Sequence, residues 1–180
     1  MSKAVVVLAR GFEEIEAVTV IDVLRRAGVE VTVAGLEPGA VSGSHDIGVV
    51  ADRAIEQVDV AGYDALILPG GMPGAANLRD DSRVRELVQS FAKADKLCAA
   101  ICAAPIALEA AGVLAGRRAT SYPGFELPSA RYVEQSVVID RNIVTSRGVG
   151  TALEFALALV ERLATPELAA QLRQRMLISG

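Results

Sequence analysis

Lys96-Leu-Cys-Ala-Ala-Ile-Cys102-Ala-Ala-Pro105 decides the fold of this chain: an apolar run of strand type ends in a thiol and passes straight into a helix start. Ala100 and Ala104 stand two residues to either side of Cys102. A nucleophile on a tight strand-to-helix turn needs small side chains there, so that the backbone can fold sharply. Pro105 falls in the first turn of the following helix, where its missing N–H costs nothing and its fixed φ helps the helix begin. The Cys102 thiol therefore faces a helix start, whose unsatisfied N–H groups and dipole favour a thiolate, and a depressed thiol pKa is expected. The competing reading is plain core, since free cysteine is among the most buried residue types.

The segments to either side of this elbow are built alike. Ala4 to Leu8 is a continuous β-branched run, the pattern of a strand buried on both faces, and it breaks at Arg10-Gly11. A helix is expected from about Glu13 to Ala27, stopped by Gly28, with Glu13, Glu14 and Glu16 in its first turn where negative charge suits the dipole. Glu16 shares a stripe with Val20, Val23 and Ala27 and is the candidate buried carboxyl, although the neighbours of Glu13 are also apolar. Glu14 shares its face with Arg25 and is expected in solvent. Val29 to Leu36 reads as a second strand, and the segments around Gly43-Ser-His45-Asp as a hairpin or edge pair with His45 solvated. Asp64 to Leu68 is a further buried strand that ends in Pro69-Gly-Gly-Met-Pro-Gly74. A glycine-rich loop at the carboxyl end of a parallel strand offers backbone N–H groups where ligands bind in open α/β sheets, which makes the Gly70 and Gly71 amides oxyanion-hole candidates.

Asp81 to Ala94 follows as an amphipathic helix carrying Val84, Leu87, Val88 and Phe91 on one face. After the elbow come a helix from Ala104 to Ala111, a short strand around Ala119 to Ser121 and an irregular stretch from Tyr122 to about Gln135. A hairpin of Val137–Asp140 with Ile143–Ser146 leads to a helix from Thr151 to Leu163, with Thr151 as cap and Leu153, Ala156, Leu157 and Val160 as its buried stripe. Pro166 starts a last helix. Strands alternate with helices throughout and no repeat or linker intervenes, so residues 1–180 are expected to form one doubly wound α/β domain.

Composition narrows the function. Of the 180 residues 52% are apolar but only 4% aromatic, which suits a core of Val, Leu, Ile and Ala in a parallel sheet covered by helices. Net charge is −4 and the basic residues form no cluster beyond Arg25-Arg26 and Arg117-Arg118, which argues against nucleic acid. The longest uncharged apolar run, Leu97 to Leu108, is too short to cross a bilayer, so a cytoplasmic protein with no membrane partner is expected. Cys98 and Cys102 on one strand stand about 13 Å apart, beyond the reach of a disulfide. The chain has one histidine, His45, without a ligand cluster around it in sequence, and no metal site is expected.

A thiol on an elbow, a glycine-rich turn and a carboxylate on the first helix converge on one sheet edge. With Leu8-Ala-Arg-Gly-Phe-Glu-Glu-Ile-Glu16, Leu68-Pro-Gly-Gly71, Ala99-Ala-Ile-Cys-Ala-Ala-Pro105, Thr145-Ser-Arg-Gly-Val-Gly-Thr151 and Glu154-Phe-Ala-Leu157, the set resembles the ThiJ/PfpI (DJ-one) superfamily. Within it the likeness is to the branch of the Parkinson's-disease-associated protein deglycase and the bacterial YajL. The resemblance implies a flavodoxin-like, mostly parallel sheet between helices, usually a homodimer, with Cys102 as reactive cysteine and Glu16 as its protonated partner. It also implies that the Gly70, Gly71 and Ala103 amides surround a bound oxyanion. Several members carry His-Pro near the thiol, where this chain has Tyr122-Pro123, so a Cys–His pair is absent and these two residues are expected to line the site. No His follows the cysteine directly, which disfavours proteolysis. An amidotransferase needs a downstream His and Glu, and Ala9-Arg-Gly-Phe-Glu lacks the loop a flavin phosphate would want. Two functions are compatible with these residues. One is cofactor-independent glyoxalase or protein deglycase chemistry on small reactive carbonyls or glycated side chains; the other is a non-enzymatic oxidative-stress sensor or redox-regulated chaperone that uses Cys102 oxidation.

Overall fold

Residues 1–178 are described in a computed structural model of the chain. In order, the elements are β1 (Lys3–Leu8), α1 (Glu14–Arg26), β2 (Glu30–Gly35), β3 (Ala40–Ser42), β4 (Gly48–Val50), β5 (Arg53–Ala54) and β6 (Ala65–Leu68). Then come α2 (Gly74–Asp80), α3 (Ser82–Lys93), β7 (Leu97–Ile101), α4 (Pro105–Ala110), β8 (Arg118–Ala119) and β9 (Arg131–Tyr132). The chain continues through β10 (Val137–Asp140), β11 (Ile143–Ser146), α5 (Ala152–Leu163) and α6 (Pro166–Arg175).

The main sheet has the order β10-β11-β7-β6-β1-β2-β5, and every neighbouring pair is parallel except the β10–β11 hairpin. Successive side chains of a strand point to opposite faces, so a strand covered on both sides must be apolar at every position. In β1, Ala4, Val6 and Leu8 pack with α1, α5 and α6, while Val5 and Val7 pack with α2, α3 and α4. Each fully buried Val or Leu contributes about 1.5–3 kcal/mol relative to exposure, so the two layers leave little freedom for strands to slip register. The doubly wound α/β architecture expected from the sequence is the one observed.

Four local expectations are corrected. The glycine-rich loop after β6 runs into an additional short helix, α2, instead of leading directly to α3. The strand at Arg118–Ala119 leaves the main sheet and pairs with β9 in a sheet of two, so the Tyr122 to Gln135 stretch is less irregular than its composition suggests. In α5 the buried residues are Ala152, Phe155, Ala156, Leu157, Leu159 and Val160, so Ala156, Leu157 and Val160 are buried as expected while Leu153 turns outward. A stripe at i, i+3, i+4 and i+7 that contains Phe155 buries more apolar surface than one starting at Leu153. Thr151 does not cap α5 through its side chain; its hydroxyl donates to the Gly148 carbonyl and pairs with Ser146 Oγ in the preceding turn.

Candidate active site

Cys102 is the first residue beyond β7 and sits at φ +64°, a left-handed conformation uncommon for a residue with a side chain. Three backbone hydrogen bonds hold it there: Cys102 N–H donates to the Ser146 carbonyl at 3.0 Å, Tyr122 N–H to the Cys102 carbonyl at 2.8 Å, and Ala104 N–H to the Ile101 carbonyl at 3.0 Å. The two parallel neighbours of β7 set the rest. Gly70 and Gly71 lie beyond the end of β6, and Gly148 beyond β11. A Cβ on Gly70 would stand 2.6 Å from Cys102 Cβ and 2.7 Å from Glu16 Oε2, so only glycine lets the loop pass between thiol and carboxyl.

Glu16 comes from the first turn of α1 and is fully buried, as its stripe with Val20 and Val23 requires. Its Oε2 accepts a hydrogen bond from Gly70 N–H at 2.8 Å, and its Oε1 has no hydrogen-bond partner within the protein. The Gly70 amide is thus occupied in holding the carboxyl, which corrects the expectation that it stands free for an oxyanion. The Gly71 and Ala103 amides face the sulfur.

Electrostatics revises the thiol as well. Burial pushes the Glu16 carboxyl up to about 7, and the Glu13 charge adds to the rise against the Gly70 and Cys102 hydrogen bonds. Burial, the Glu16 charge and the Glu16 hydrogen bond push the Cys102 thiol up to about 12, and the Gly71 and Ala103 amides only partly oppose them. The depressed thiol expected from its helix start is therefore not found. A six-residue helix supplies little dipole, and an anion already present on Glu16 resists a second one beside it. The pair keeps one proton above neutral pH, and a thiolate can form only as Glu16 takes the proton up.

Cys102 opens into a cavity of about 1000 Å³ whose wall includes Glu13, Tyr122, Pro123, Glu134, Arg147 and Gly148. Tyr122 and Pro123 line the same cavity as the thiol. The half-exposed phenol of Tyr122 can give or take one hydrogen bond. Arg147 and Gly148 fall in the motif of residues 145–151 but carried no expected role, and Glu134 was not singled out; the signal was their place in or facing the loop after a parallel strand at the carboxyl edge. Arg147 Nη1 donates to Glu134 Oε1 at 3.0 Å across the mouth. Cys98 lies mid-strand with its side chain in the opposite layer, fully buried, and both cysteines are free.

Glu14 departs furthest from expectation. It is buried, because the loop from Gly43 to Ile47 folds over it, and its Oε1 accepts from His45 N–H at 2.6 Å and Ile47 N–H at 3.4 Å. Burial alone would raise its pKa, but the His45 ring and these amides outweigh it and hold the carboxyl down at about 2. His45, though exposed, is not free in solvent: Nδ1 lies 3.0 Å from Glu14 Oε2.

Comparisons with known proteins bear on this arrangement. The DJ-1/PfpI family profile matches residues 2–162. The Parkinson disease protein 7 homolog of Danio rerio is 42% identical over 98% of this chain and 97% of its own length. A Caenorhabditis elegans protein named glutathione-independent glyoxalase DJR-1.2 is 37% identical over 86% of this chain and 84% of its own. The crystal structure of Drosophila melanogaster DJ-1beta superposes with a TM-score of 0.95 over 100% of both chains at 42% identity.

Proposed function

The chain belongs to the DJ-1/PfpI family, and we propose that it is a cytoplasmic, cofactor-independent glyoxalase that converts small 2-oxoaldehydes such as methylglyoxal to hydroxy acids, with glycated protein side chains as the related substrates. The observation that carries this reading is the Cys102 thiol set beside the buried Glu16 carboxyl, with the Gly71 and Ala103 amides against the sulfur and an open cavity in front of it.

The steps follow from that geometry. The Glu16 carboxylate takes the thiol proton as Cys102 sulfur bonds to the aldehyde carbon, and the carbonyl electron pair goes to oxygen, where the Gly71 and Ala103 amides stabilise the charge. Glu16 returns its proton to that oxygen, giving a hemithioacetal. The carboxylate next removes the hydrogen from the former aldehyde carbon as the electron pair passes to the ketone oxygen, giving an enediolate; the hydroxyl proton on the first oxygen passes to the second, and Glu16 delivers the carbon-bound hydrogen to the adjacent carbon. The product is a lactoyl thioester on Cys102, which one water hydrolyses to lactate and free thiol. Methylglyoxal plus water becomes lactic acid with no electron lost to an external acceptor. Glu16 works at both stages because a carboxyl near 7 accepts and releases a proton with comparable ease. Purified protein incubated with methylglyoxal and no glutathione is expected to release lactate, measured by an enzymatic lactate assay; no release above buffer overturns the reading.

The exposed apolar side chains Ile15 and Val18 on α1 and Ile47 beside them support a homodimer, since such a patch on a small domain favours a partner. Sedimentation equilibrium is expected to give twice the chain mass, reduced to the chain mass in Val18→Asp, and a monomeric wild type removes the proposal.

A second reading, an oxidative-stress sensor or redox-regulated chaperone, is favoured by one observation: Cys102 sulfur is accessible and flanked by two amides and a carboxyl. One peroxide takes the sulfur to sulfenic acid with release of water and a second takes it to sulfinate, whose charge the amides and a protonated Glu16 would hold. Cys98 has no access to solvent, and access is what separates the two thiols. Mild peroxide is expected to add two oxygens at Cys102 while Cys98 stays reduced, and peptide mass mapping that finds Cys98 oxidised first removes this reading.

A further inference from the structure

The first turn of α1 carries a second group of donors that the chemistry at Cys102 does not use. The loop at Gly43–Ile47 is pinned across it, with Ser44 N–H donating to the Phe12 carbonyl at 2.8 Å and Gly11 N–H to the Ser42 carbonyl at 2.8 Å. A Cβ on Gly43 would overlap the Glu14 carboxyl, so the loop is shaped around that group. With Glu14 Oε1 held by two backbone amides, Oε2 is fixed in place, 3.0 Å from His45 Nδ1 and 3.2 Å from Ser44 Oγ. Glu13 Oε2 approaches from the next residue, 3.8 Å from His45 Nδ1 and 3.4 Å from Ser44 Oγ. Ser44 Oγ itself lies 3.0 Å from the ring nitrogen.

One ligand atom from each of Glu13, Glu14 and His45 lies within 4.8 Å of the others. Around a tetrahedral zinc ion with bonds of about 2.1 Å, donor atoms stand about 3.4 Å from one another. The observed separations of 3.0 and 3.8 Å fall on either side of that value, so small side-chain rotations close the set. Among the described residues no Lys or Arg forms an ion pair with either carboxylate, which leaves two negative charges facing one imidazole. Two carboxylate oxygens and an imidazole nitrogen are the donors of borderline divalent ions; magnesium and calcium take six or more oxygens, which this cluster does not supply. The backbone amides on Glu14 Oε1 are the outer partners that orient a ligating carboxylate.

We infer that Glu13, Glu14 and His45 form a binding site for a borderline divalent transition-metal ion such as zinc, with the Ser44 hydroxyl or a water as fourth ligand. The expectation of no metal site rested on the lack of ligands near His45 in sequence. The fold supplies them from 31 residues away. Glu13 also stands in the wall of the Cys102 cavity, so the ion binds at the edge of that opening.

The chain's only histidine makes the test direct. Zinc chloride is titrated calorimetrically into protein freed of affinity tags and stripped with chelator, and the imidazole resonances are followed by NMR in parallel. The expected result is one zinc per chain, a shift of the His45 resonances that saturates at the same ratio, and affinity lower by at least about tenfold in His45→Ala and Glu13→Gln. Both substitutions are at side chains that leave the core intact, and circular dichroism confirms folding. Cys102→Ser retains full uptake. Uptake that disappears in Cys102→Ser and survives in His45→Ala assigns the metal to the thiol and overturns the site, as does unmoved imidazole resonance or no uptake at about 1 mM zinc, far above the range of a built three-ligand site.

Discussion

Cys102→Ala protein is expected to form no lactate from methylglyoxal above the buffer rate, a loss of at least about a thousandfold, because the carbon–sulfur bond on which every later step depends cannot form. Folding is not at stake: alanine at this left-handed position carries the same backbone strain as cysteine, and the backbone hydrogen bonds to Ser146 and Tyr122 do not involve the side chain. Cys98→Ala is the matched control. It removes a thiol from the layer beneath α3, costs about 1–2 kcal/mol of core contact and leaves turnover intact. Steady-state lactate release by the two variants separates the roles, and equal activity in Cys102→Ala and wild type would remove Cys102 from the chemistry altogether.

The elbow was legible because its causes are local. Small residues around Cys102, Pro105 at N1 and a buried strand before it are all read within ten residues, and the parallel sheet follows from uninterrupted apolar runs such as Ala4 to Leu8. Glu16 was half legible. Helical periodicity placed both Glu13 and Glu16 over apolar neighbours, and what separates them is the Gly70 amide, which reaches Glu16 from a strand end 54 residues on. Glu14 was illegible for the same reason in stronger form. Its helical face pointed to Arg25 and water until a loop 31 residues away folded over it and turned a surface carboxylate into a buried, hydrogen-bonded one. The ionisation of Cys102 failed differently: the helix start was read correctly, but the magnitude was set by burial and by the charge of Glu16, neither of which a sequence displays.

Glu16→Gln is expected to trade activity for stability, and the two effects have opposite dependence on its charge. The side-chain amide put there still accepts from the Gly70 N–H but can neither take the thiol proton nor move the carbon-bound hydrogen, so turnover falls by about 10²–10⁴. In the wild type the pair sheds one proton near pH 7, whichever atom keeps the other, so kcat/KM rises with pH through about 7; the variant's residual rate lacks that step. Stability runs the other way. Because burial raises the folded carboxyl from 4.5 to about 7, the unfolded chain releases its proton first, and ionisation favours unfolding. The wild type therefore loses stability as pH climbs from 4.5 to about 7, and above that carries a penalty of about 3 kcal/mol, which an amide at the same position does not incur. Urea midpoints measured at pH 4.5 and pH 8 are the check: the variant should exceed wild type by more at pH 8 than at pH 4.5. A gap that stays constant across this interval would mean that Glu16 is not an ionised, desolvated carboxylate in the working protein, and the proton shuttle built on it would fall with it.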